Sequence, residues 1–181
     1  MISPIVLLSV LLLSIFSSLV TSTCTTSQRL AIAAQIPAAY NLSPLGASYA
    51  AFEAIPFAPL CQTSIAPNGL PPVPVAIDRS TTELFAQATR QLFSEVTGCY
   101  VDFPRNGTTD IQTNVTLGVR DIIPIPVTFS ANVYLDFGVD LHGNCQINAV
   151  RAFATIPSQV LGLILTGSPL DLSGVIGSLG L

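Results

Sequence analysis

Alternation of apolar and polar side chains between Val127 and Leu141 constrains the fold of this chain more than any other feature. Successive side chains of an extended strand point to opposite faces of a sheet, so a period of two residues places every second side chain on one face. The segment therefore predicts a long antiparallel strand with one buried face. The apolar residues of that face are Val127, Phe129, Ala131, Val133, Leu135, Phe137, Val139 and Leu141.

Two flanking segments predict partners for this strand. Residues 111–119 alternate in the same way, with isoleucine, valine and leucine on one face and glutamine, asparagine and threonine on the other. On the other side, His142-Gly143-Asn144 predicts a hairpin turn, after which residues 145–156 return as a further strand. The C-terminal half is therefore predicted to be an antiparallel meander.

A helix is predicted before the meander, over residues 80–97. Ser80-Thr81-Thr82-Glu83 has the spacing of a capping box, with the serine at the N-cap and the glutamate at the third helical position. Apolar residues then recur every fourth position and form one broad face. Gly98 predicts the C-cap. The residues of the apolar face are Leu84, Ala88, Leu92 and Val96.

The N-terminal half predicts two shorter helices and a connector. Residues 28–36 are expected to be helical until Pro37 ends them, and residues 47–54 form the second helix. The proline-rich segment 62–77 is expected to be an extended connector. The fold class predicted is α+β: an amphipathic helix packed on a curved antiparallel meander of three to four strands, with short N-terminal helices.

The first 22 residues are typical of a secretory signal peptide. They contain no charged side chain, and the apolar run from Ile5 to Val20 is followed by small residues that suit cleavage after Ser22. The competing interpretation is a transmembrane anchor, but serines interrupt the run and it falls short of about 20 apolar residues. We expect a single secreted domain at 23–181 with an apolar tail at 157–181 and no membrane-spanning segment after cleavage.

The tail has an alternative interpretation as a signal for a lipid anchor. Attachment would then fall at a small residue near Gly167 or Ser168. Asp171 and the lack of a polar spacer argue against it, so packing as short helical or irregular pieces is the expectation.

Four cysteines, Cys24, Cys61, Cys99 and Cys145, all follow the expected cleavage site. An even number in a secreted chain predicts two disulfides, for which three pairings exist. We favour Cys24–Cys61 and Cys99–Cys145, since each pair then lies within one half of the chain. The single histidine and the absence of a Cys-x-x-Cys spacing exclude most zinc sites, so no metal and no cofactor is predicted.

Three sequons, at Asn41, Asn106 and Asn114, predict N-linked glycans if the chain passes through a eukaryotic secretory pathway. Asn114 falls on the polar face of its predicted strand, where a glycan can sit. The six basic residues are all arginines and are scattered, and the net charge is −4. That distribution excludes nucleic acids and anionic lipid surfaces as partners.

Polar residues cluster at Asp136, Asp140 and His142. They could form an acid–base group, or half of a metal site with Asn144. We favour an ordinary solvated strand face running into a turn, where these residue types are common. No nucleophile elbow and no phosphate-binding glycine loop occurs, so no catalytic residue is predicted.

The stretch from Val127 to Phe153 resembles the nuclear transport factor 2-like (SnoaL-like) superfamily, within the cystatin-like α+β roll. Gly143 in the hairpin, Ile147 in the returning strand and Phe153 near its end match the family pattern. The resemblance covers residues 80–156 and implies a cone-shaped fold that encloses a pocket. It implies either isomerase, cyclase or dehydratase chemistry, by inward-facing Asp, His or Tyr, or simple ligand binding.

Three functions are therefore considered. The first is a secreted binding or interaction module that takes an apolar small molecule or an extracellular protein; its pocket candidates are Phe129, Val133, Leu135 and Phe137. The second is a SnoaL-like isomerase or cyclase. The third is a structural protein of the cell surface or matrix, suggested by the proline-rich connector and apolar tail. We favour the first because the predicted inner face carries only apolar side chains.

Overall fold

The alternating segment becomes the longest strand of a six-stranded sheet in the computed structural model, which describes residues 23–119 and 123–157. Three helices are found within these residues, and the fold is α+β as predicted. The elements are α1 (Thr26–Asn41), α2 (Leu45–Ala54), β1 (Phe57–Pro67), β2 (Val73–Ala76), α3 (Arg79–Arg90), β3 (Phe93–Phe103), β4 (Thr108–Val119), β5 (Ile123–Val139) and β6 (Cys145–Ala154).

The sheet has the strand order β2-β1-β6-β5-β4-β3. The predicted meander is confirmed as β4, β5 and β6, in which each strand pairs antiparallel with the next strand along the chain. The prediction of three to four strands was too low, because β3 joins β4 and the N-terminal half contributes β1 and β2. β1 runs parallel to β6, so the sheet is mixed. This pairing joins residues 87 to 90 positions apart in the chain, which local sequence patterns cannot report.

The segment 62–77, predicted as a connector, is instead the hairpin of β1 and β2. It turns at Asn68 and Gly69, whose φ angles of 52° and 76° lie in the left-handed region. β2 is an edge strand, and an edge strand tolerates Pro74 because its missing N–H can face away from the ladder. The proline-rich composition of this segment therefore reflects an edge strand and not the lack of a strand.

The helix predicted over residues 80–97 is shorter than expected, and a different set of its side chains faces the core. α3 ends at Arg90, and the residues from Phe93 onward form β3. The N-cap is Asp78, whose carboxylate accepts the backbone N–H of Thr81 at 2.8 Å. Leu84, expected in the core, is 63% exposed. The buried residues of the helix are Thr82, Ala86, Thr89 and Arg90.

Gly98 lies inside β3 and is not a helix cap. A Cβ atom built at this position would come within 2.9 Å of the Ile111 side chain on the neighbouring strand. Glycine is therefore required by close packing between β3 and β4. Gains from this long-range pairing outweigh the local preference for helix.

Helix α1 runs through Pro37, where the sequence predicted its end. It starts at a capping box between Thr25 and Gln28, not at Ser27. Pro37 is buried, and its ring faces Gly98 of β3. Tertiary packing therefore retains a helix that proline alone would terminate. The second helix, predicted at 47–54, is confirmed as α2.

All three helices cover one face of the sheet, which we call the inner face. It carries Ile111, Val115, Leu135 and Ile147, all 6% exposed or less. The other face, here the outer face, is open to solvent. The predicted signal peptide 1–22 and the tail from 158 lie outside the described residues. No helix among those described is long and apolar enough to cross a membrane.

Candidate functional site

A cavity of about 130 Å³ lies between the inner face and the helices. It is lined by side chains from α1, α2, α3 and the strands β1, β3, β4, β5 and β6. Aromatic rings contact one another along its wall: the ring centroids of Tyr40 and Phe52 are 4.9 Å apart, and those of Tyr40 and Phe93 are 5.6 Å apart. Phe93 in turn meets Phe129 at 6.0 Å. The fold therefore forms a partly open apolar cavity with aromatic walls.

Two of the four predicted pocket residues line this cavity, and two do not. Phe129 and Val133 contribute to its wall. Leu135 is fully buried in a packed cluster with Ile111 and Ile147, and Phe137 packs against the same cluster. The pairing of β5 with β6 shifts register between Asp136 and Phe137. The apolar face of β5 is therefore divided into a part that lines the cavity and a part that fills the core.

The helices supply the cavity residues that the sequence pattern missed. Ile36 and Tyr40 come from α1, Phe52 from α2, and Phe85 and Thr89 from α3. Phe52 and Tyr40 were visible as large side chains in helical segments. Their convergence depends on how the helices dock, which no local pattern encodes.

The hydroxyl groups at the cavity wall are already engaged by the protein. Thr63 and Thr82 bond to each other at 3.0 Å, and Thr113 donates to the carbonyl of Ala131 at 2.9 Å. Thr89 lies 2.9 Å from the hydroxyl of Tyr40 and also reaches the carbonyl of Phe85 at 2.9 Å. Water needs two to four polar partners in a buried site, so these walls favour an apolar occupant over water.

Tyr40 is the ionisable side chain of this wall among the described residues. Burial raises its pKa to about 12, although the hydrogen bond to Thr89 opposes the shift. The phenol is therefore neutral at physiological pH and bonded within the protein. No aspartate, glutamate, histidine, lysine or arginine among the described residues lines the cavity. The part of the lining that the structure describes therefore contains no acid–base pair.

The predicted polar cluster lies away from the cavity. Asp136 is on the outer face, where Arg151 reaches both of its oxygens at 2.8 and 3.0 Å. The Asn144 side-chain amide donates to Asp140 at 2.9 Å and is the main cause that lowers the pKa of Asp140. The backbone N–H groups of Asn144 and His142 also donate to it at 2.8 Å, which holds the hairpin turn. Among the described residues, no group of three histidine, cysteine or acidic side chains could hold a metal ion.

Asp110 is a buried carboxylate that the sequence did not single out. It lies on the outer face of β4 and is 3% exposed, and its Oδ1 has no hydrogen-bond partner. Gln112 reaches Oδ2 at only 3.4 Å. Desolvation raises the pKa of this group above 3.8, and the bond from Gln112 only partly opposes the shift. A buried charge without partners destabilises the fold.

Replacing Asp110 by valine should therefore raise the free energy of unfolding at pH 7 by about 1–2 kcal/mol. The raised pKa means that the folded state binds more protons than the unfolded state as the pH falls towards 4. The penalty in the native protein then fades, and the gain in the variant shrinks. Urea unfolding at pH 7 and pH 4.5 measures both effects. Ser130→Val, an exposed outer-face position on β5, is the control; equal gains there would contradict the explanation.

The cysteines pair differently from the prediction. Cys24, just before α1, is bonded to Cys145 at the start of β6, with the Cα atoms 5.2 Å apart. Cys61 is buried in β1 and Cys99 is exposed on β3, and both are free thiols. These two strands are four positions apart in the sheet, about 19 Å at the usual strand spacing, which is too far for a bond. The favoured pairing was wrong because position along the chain does not report neighbours across the sheet.

The three sequons differ in their surroundings. Asn41 ends α1, and its amide bonds both to the carbonyl of Val96 at 2.6 Å and to the Val96 N–H at 3.0 Å. It thereby covers part of the edge strand β3. Asn114 is exposed in the middle of β4, paired with Thr97 and Ser130 on the outer face. Asn106 is exposed in the turn between β3 and β4.

The resemblance inferred from the sequence is confirmed at the level of the fold. A SnoaL-like polyketide cyclase by name, from Jannaschia, superposes with a TM-score of 0.52 at 10% identity, covering 79% of this chain and 94% of that one. PrhC from Penicillium brasilianum gives 0.51 at 10% identity, with coverages of 87% and 93%.

A protein with a cystatin-like fold from Methylobium petroleophilum gives a TM-score of 0.52 at 13% identity, covering 75% of this chain and 81% of that one. No family model and no curated protein matches the sequence. At such low identities the likeness defines the class of fold, a cystatin-like cone, and carries no activity over to this chain.

Proposed function

We propose that this chain is a secreted binding module that holds a small apolar molecule between the inner face of its sheet and its helices. The cavity carries the proposal: its wall is aromatic and aliphatic, and its hydroxyl groups bond within the protein. A preformed apolar space gains dispersion contacts when an apolar ligand fills it. The ligand therefore needs no charged group.

The volume limits the ligand. An apolar protein cavity of about 150 Å³ holds benzene, so a cavity of about 130 Å³ suits a single small ring or a short branched hydrocarbon. A steroid or a fused polyketide is several times larger than this volume and would have to extend out through the opening of the cavity. We therefore propose a ligand of about six heavy atoms.

Toluene is the probe for this proposal. At ten times its dissociation constant it should stabilise the folded protein by about 1.4 kcal/mol, which corresponds to a rise in Tm of about 3–5 °C. Ala131→Leu fills the cavity from the middle of β5 and should abolish that rise. Thermal unfolding with and without toluene measures both.

Ser130→Leu is the matched control, because Ser130 is the preceding residue of β5 and faces the outer side. This variant should keep the full response to toluene. An unchanged Tm of the native protein in toluene would contradict the proposal. So would equal responses in the two leucine variants, because toluene would then act somewhere other than the cavity.

An isomerase or cyclase is the second candidate, supported by the fold shared with a protein named a polyketide cyclase. Such chemistry needs an inward acid or base with a pKa near the working pH. Tyr40, with a pKa of about 12, is poorly matched to that role. Binding without turnover therefore remains the better proposal.

Secretion is part of the proposal and is supported by two observations. The Cys24–Cys145 disulfide is of the kind that persists in oxidising compartments. The charge-free apolar segment before Thr23 has the pattern of a signal peptide. The sequons at Asn106 and Asn114 then face solvent, where the transferred sugars would not disturb the core.

A further inference from the structure

An open groove of about 470 Å³ crosses the outer face of the sheet, on the side opposite the cavity. Its aromatic side chains are Phe103 at the end of β3, Tyr134 on β5 and Phe153 on β6. Phe103 is 40% exposed and Phe153 is 43% exposed. The rings of Tyr134 and Phe153 meet edge to face at 5.6 Å. Aromatic surface exposed in a concave site is characteristic of a place that something covers.

Asn106 forms one wall of this groove and belongs to the sequon Asn106-Gly107-Thr108. The turn that carries it is held by the bond from the Asn106 N–H to the carbonyl of Phe103 at 3.0 Å. Gly107, with φ of 64°, provides the left-handed residue that the turn needs. The turn therefore places Asn106 beside the aromatic rings of the groove.

We propose that Asn106 carries an N-linked glycan whose first sugars lie in this aromatic groove. The inference rests on the proposed passage of the chain through a eukaryotic secretory pathway. The Asn106 amide nitrogen forms a bond to C1 of the first sugar of a lipid-linked pyrophosphate oligosaccharide. The C1–O bond breaks, the lipid pyrophosphate leaves with the electron pair, and the amide loses one proton to a base of the transferase.

The groove has the chemistry that such a sugar requires. A pyranose ring presents C–H groups on one face, and these are attracted to the negative face of an aromatic ring. Asn132 and Arg151 lie at the same groove and supply hydrogen-bond donors for hydroxyl and acetamide oxygens. At about six heavy atoms per 150 Å³, the groove holds one or two sugar rings.

Transfer must precede folding of this region. Thr108, whose hydroxyl the sequon requires, is only 7% exposed in the folded protein and donates to Asp136 at 2.9 Å. The sugar is therefore in place when the β3–β4 turn closes against β5. It then covers aromatic surface that the chain itself leaves open.

Asn114, on the outer face of β4, provides the matched comparison. Its strand partners are Thr97 and Ser130, and its same-face neighbours along β4 are Gln112 and Thr116. No aromatic ring is among them, so a glycan there extends into solvent. Loss of that glycan should leave stability almost unchanged.

The experiment uses the full chain secreted from glycosylating eukaryotic cells, with Asn106→Gln, Asn114→Gln and Phe153→Ser alone and combined. Mass spectrometry should find a glycan on Asn106. Asn106→Gln should lower Tm by about 3 °C, whereas Asn114→Gln should change it by less than about 1 °C. Phe153→Ser should lower Tm in the glycosylated protein and have little further effect when the Asn106 glycan is absent.

Three results would overturn the proposal in distinguishable ways. An Asn106 without sugar in the secreted protein would refute the glycan at this site and leave the toluene result unaffected. A glycosylated Asn106 with equal effects of Phe153→Ser in both backgrounds would mean that the sugar does not pack in the groove. A dimer in sedimentation that Phe153→Ser dissociates would assign the groove to a second copy of the chain and equally refute the proposal.

Discussion

Replacing Asp102 by alanine should lower the free energy of unfolding by about 3–5 kcal/mol at pH 7, because it leaves a buried arginine without its counter-ion. Asp102 on β3 accepts from Arg29 of α1 at 2.6 and 2.8 Å. The side chains are only 5% and 6% exposed. Arg29 also donates to the carbonyl of Cys24. One ion pair thus ties the first helix to the edge of the sheet.

Two threonines also donate hydrogen bonds to this carboxylate. Thr26 donates to Oδ2 at 2.7 Å and Thr109 donates to Oδ1 at 2.8 Å. All of these bonds favour the ionised form. The bond from Arg29 is the largest cause, and together they lower the pKa of Asp102 from 3.8 to about 2 although burial opposes the shift.

Urea unfolding of Asp102→Ala and Asp102→Asn measures the effect, with Asp136→Ala as the matched control. Asp136 also accepts two bonds from one arginine, but this pair is 46% and 34% exposed. Its loss should cost less than about 1 kcal/mol. Similar losses at both aspartates would contradict the role assigned to burial.

The pH dependence follows from the lowered pKa. Between pH 4 and pH 2 the unfolded chain protonates Asp102 while the folded chain keeps it ionised, so stability falls as the pH falls. The loss amounts to about 2 kcal/mol across that window. Asp102→Asn should lack this component of acid destabilisation. An unchanged acid profile in the variant would refute it.

The second large effect is expected from the disulfide. Replacing Cys24 and Cys145 together by serine should cost about 2–5 kcal/mol. The bond joins residues 121 positions apart, and a cross-link that closes a long loop restricts the unfolded chain most. It also anchors the start of α1 at the start of β6, beside the Arg29–Asp102 pair.

Urea unfolding of the oxidised, reduced and double-serine proteins measures this loss. Cys99→Ser is the control, because this exposed thiol makes no bond, and it should change stability by less than about 0.5 kcal/mol. Thiol labelling tests the pairing directly: one thiol, Cys99, should react in the folded protein and two in urea without reductant. Four protected cysteines in urea would contradict the pairing.

Much of the C-terminal half was predictable because its strands are one-sided. In β4 and β5, burial of one face forces a period of two, which is a local pattern. Gly143, with φ of 81°, marks the hairpin for a reason that is also local. Arg151 opposite Tyr134 in the register then follows from that hairpin, and with it the contact to Asp136.

Segments whose apolar spacing fits both a helix and a strand were predicted less well. Residues 93–97 continue the four-residue spacing of α3, yet they form β3 because β4 offers a partner edge. Thr82, Ala86 and Thr89 form the buried side of α3 although their composition alone would place them outside. The cavity is made from both kinds of segment, so only its strand half was foreseen.

The one-sided strands, the hairpin and the class of fold could be predicted from local patterns, since each follows from contacts between residues close along the chain. The cysteine pairing, the place of the proline-rich segment in the sheet and the side chains around the cavity could not. These depend on parallel pairing of β1 with β6 and on helix docking, and both bring together residues far apart in sequence. Their energies arise only when the whole sheet is assembled.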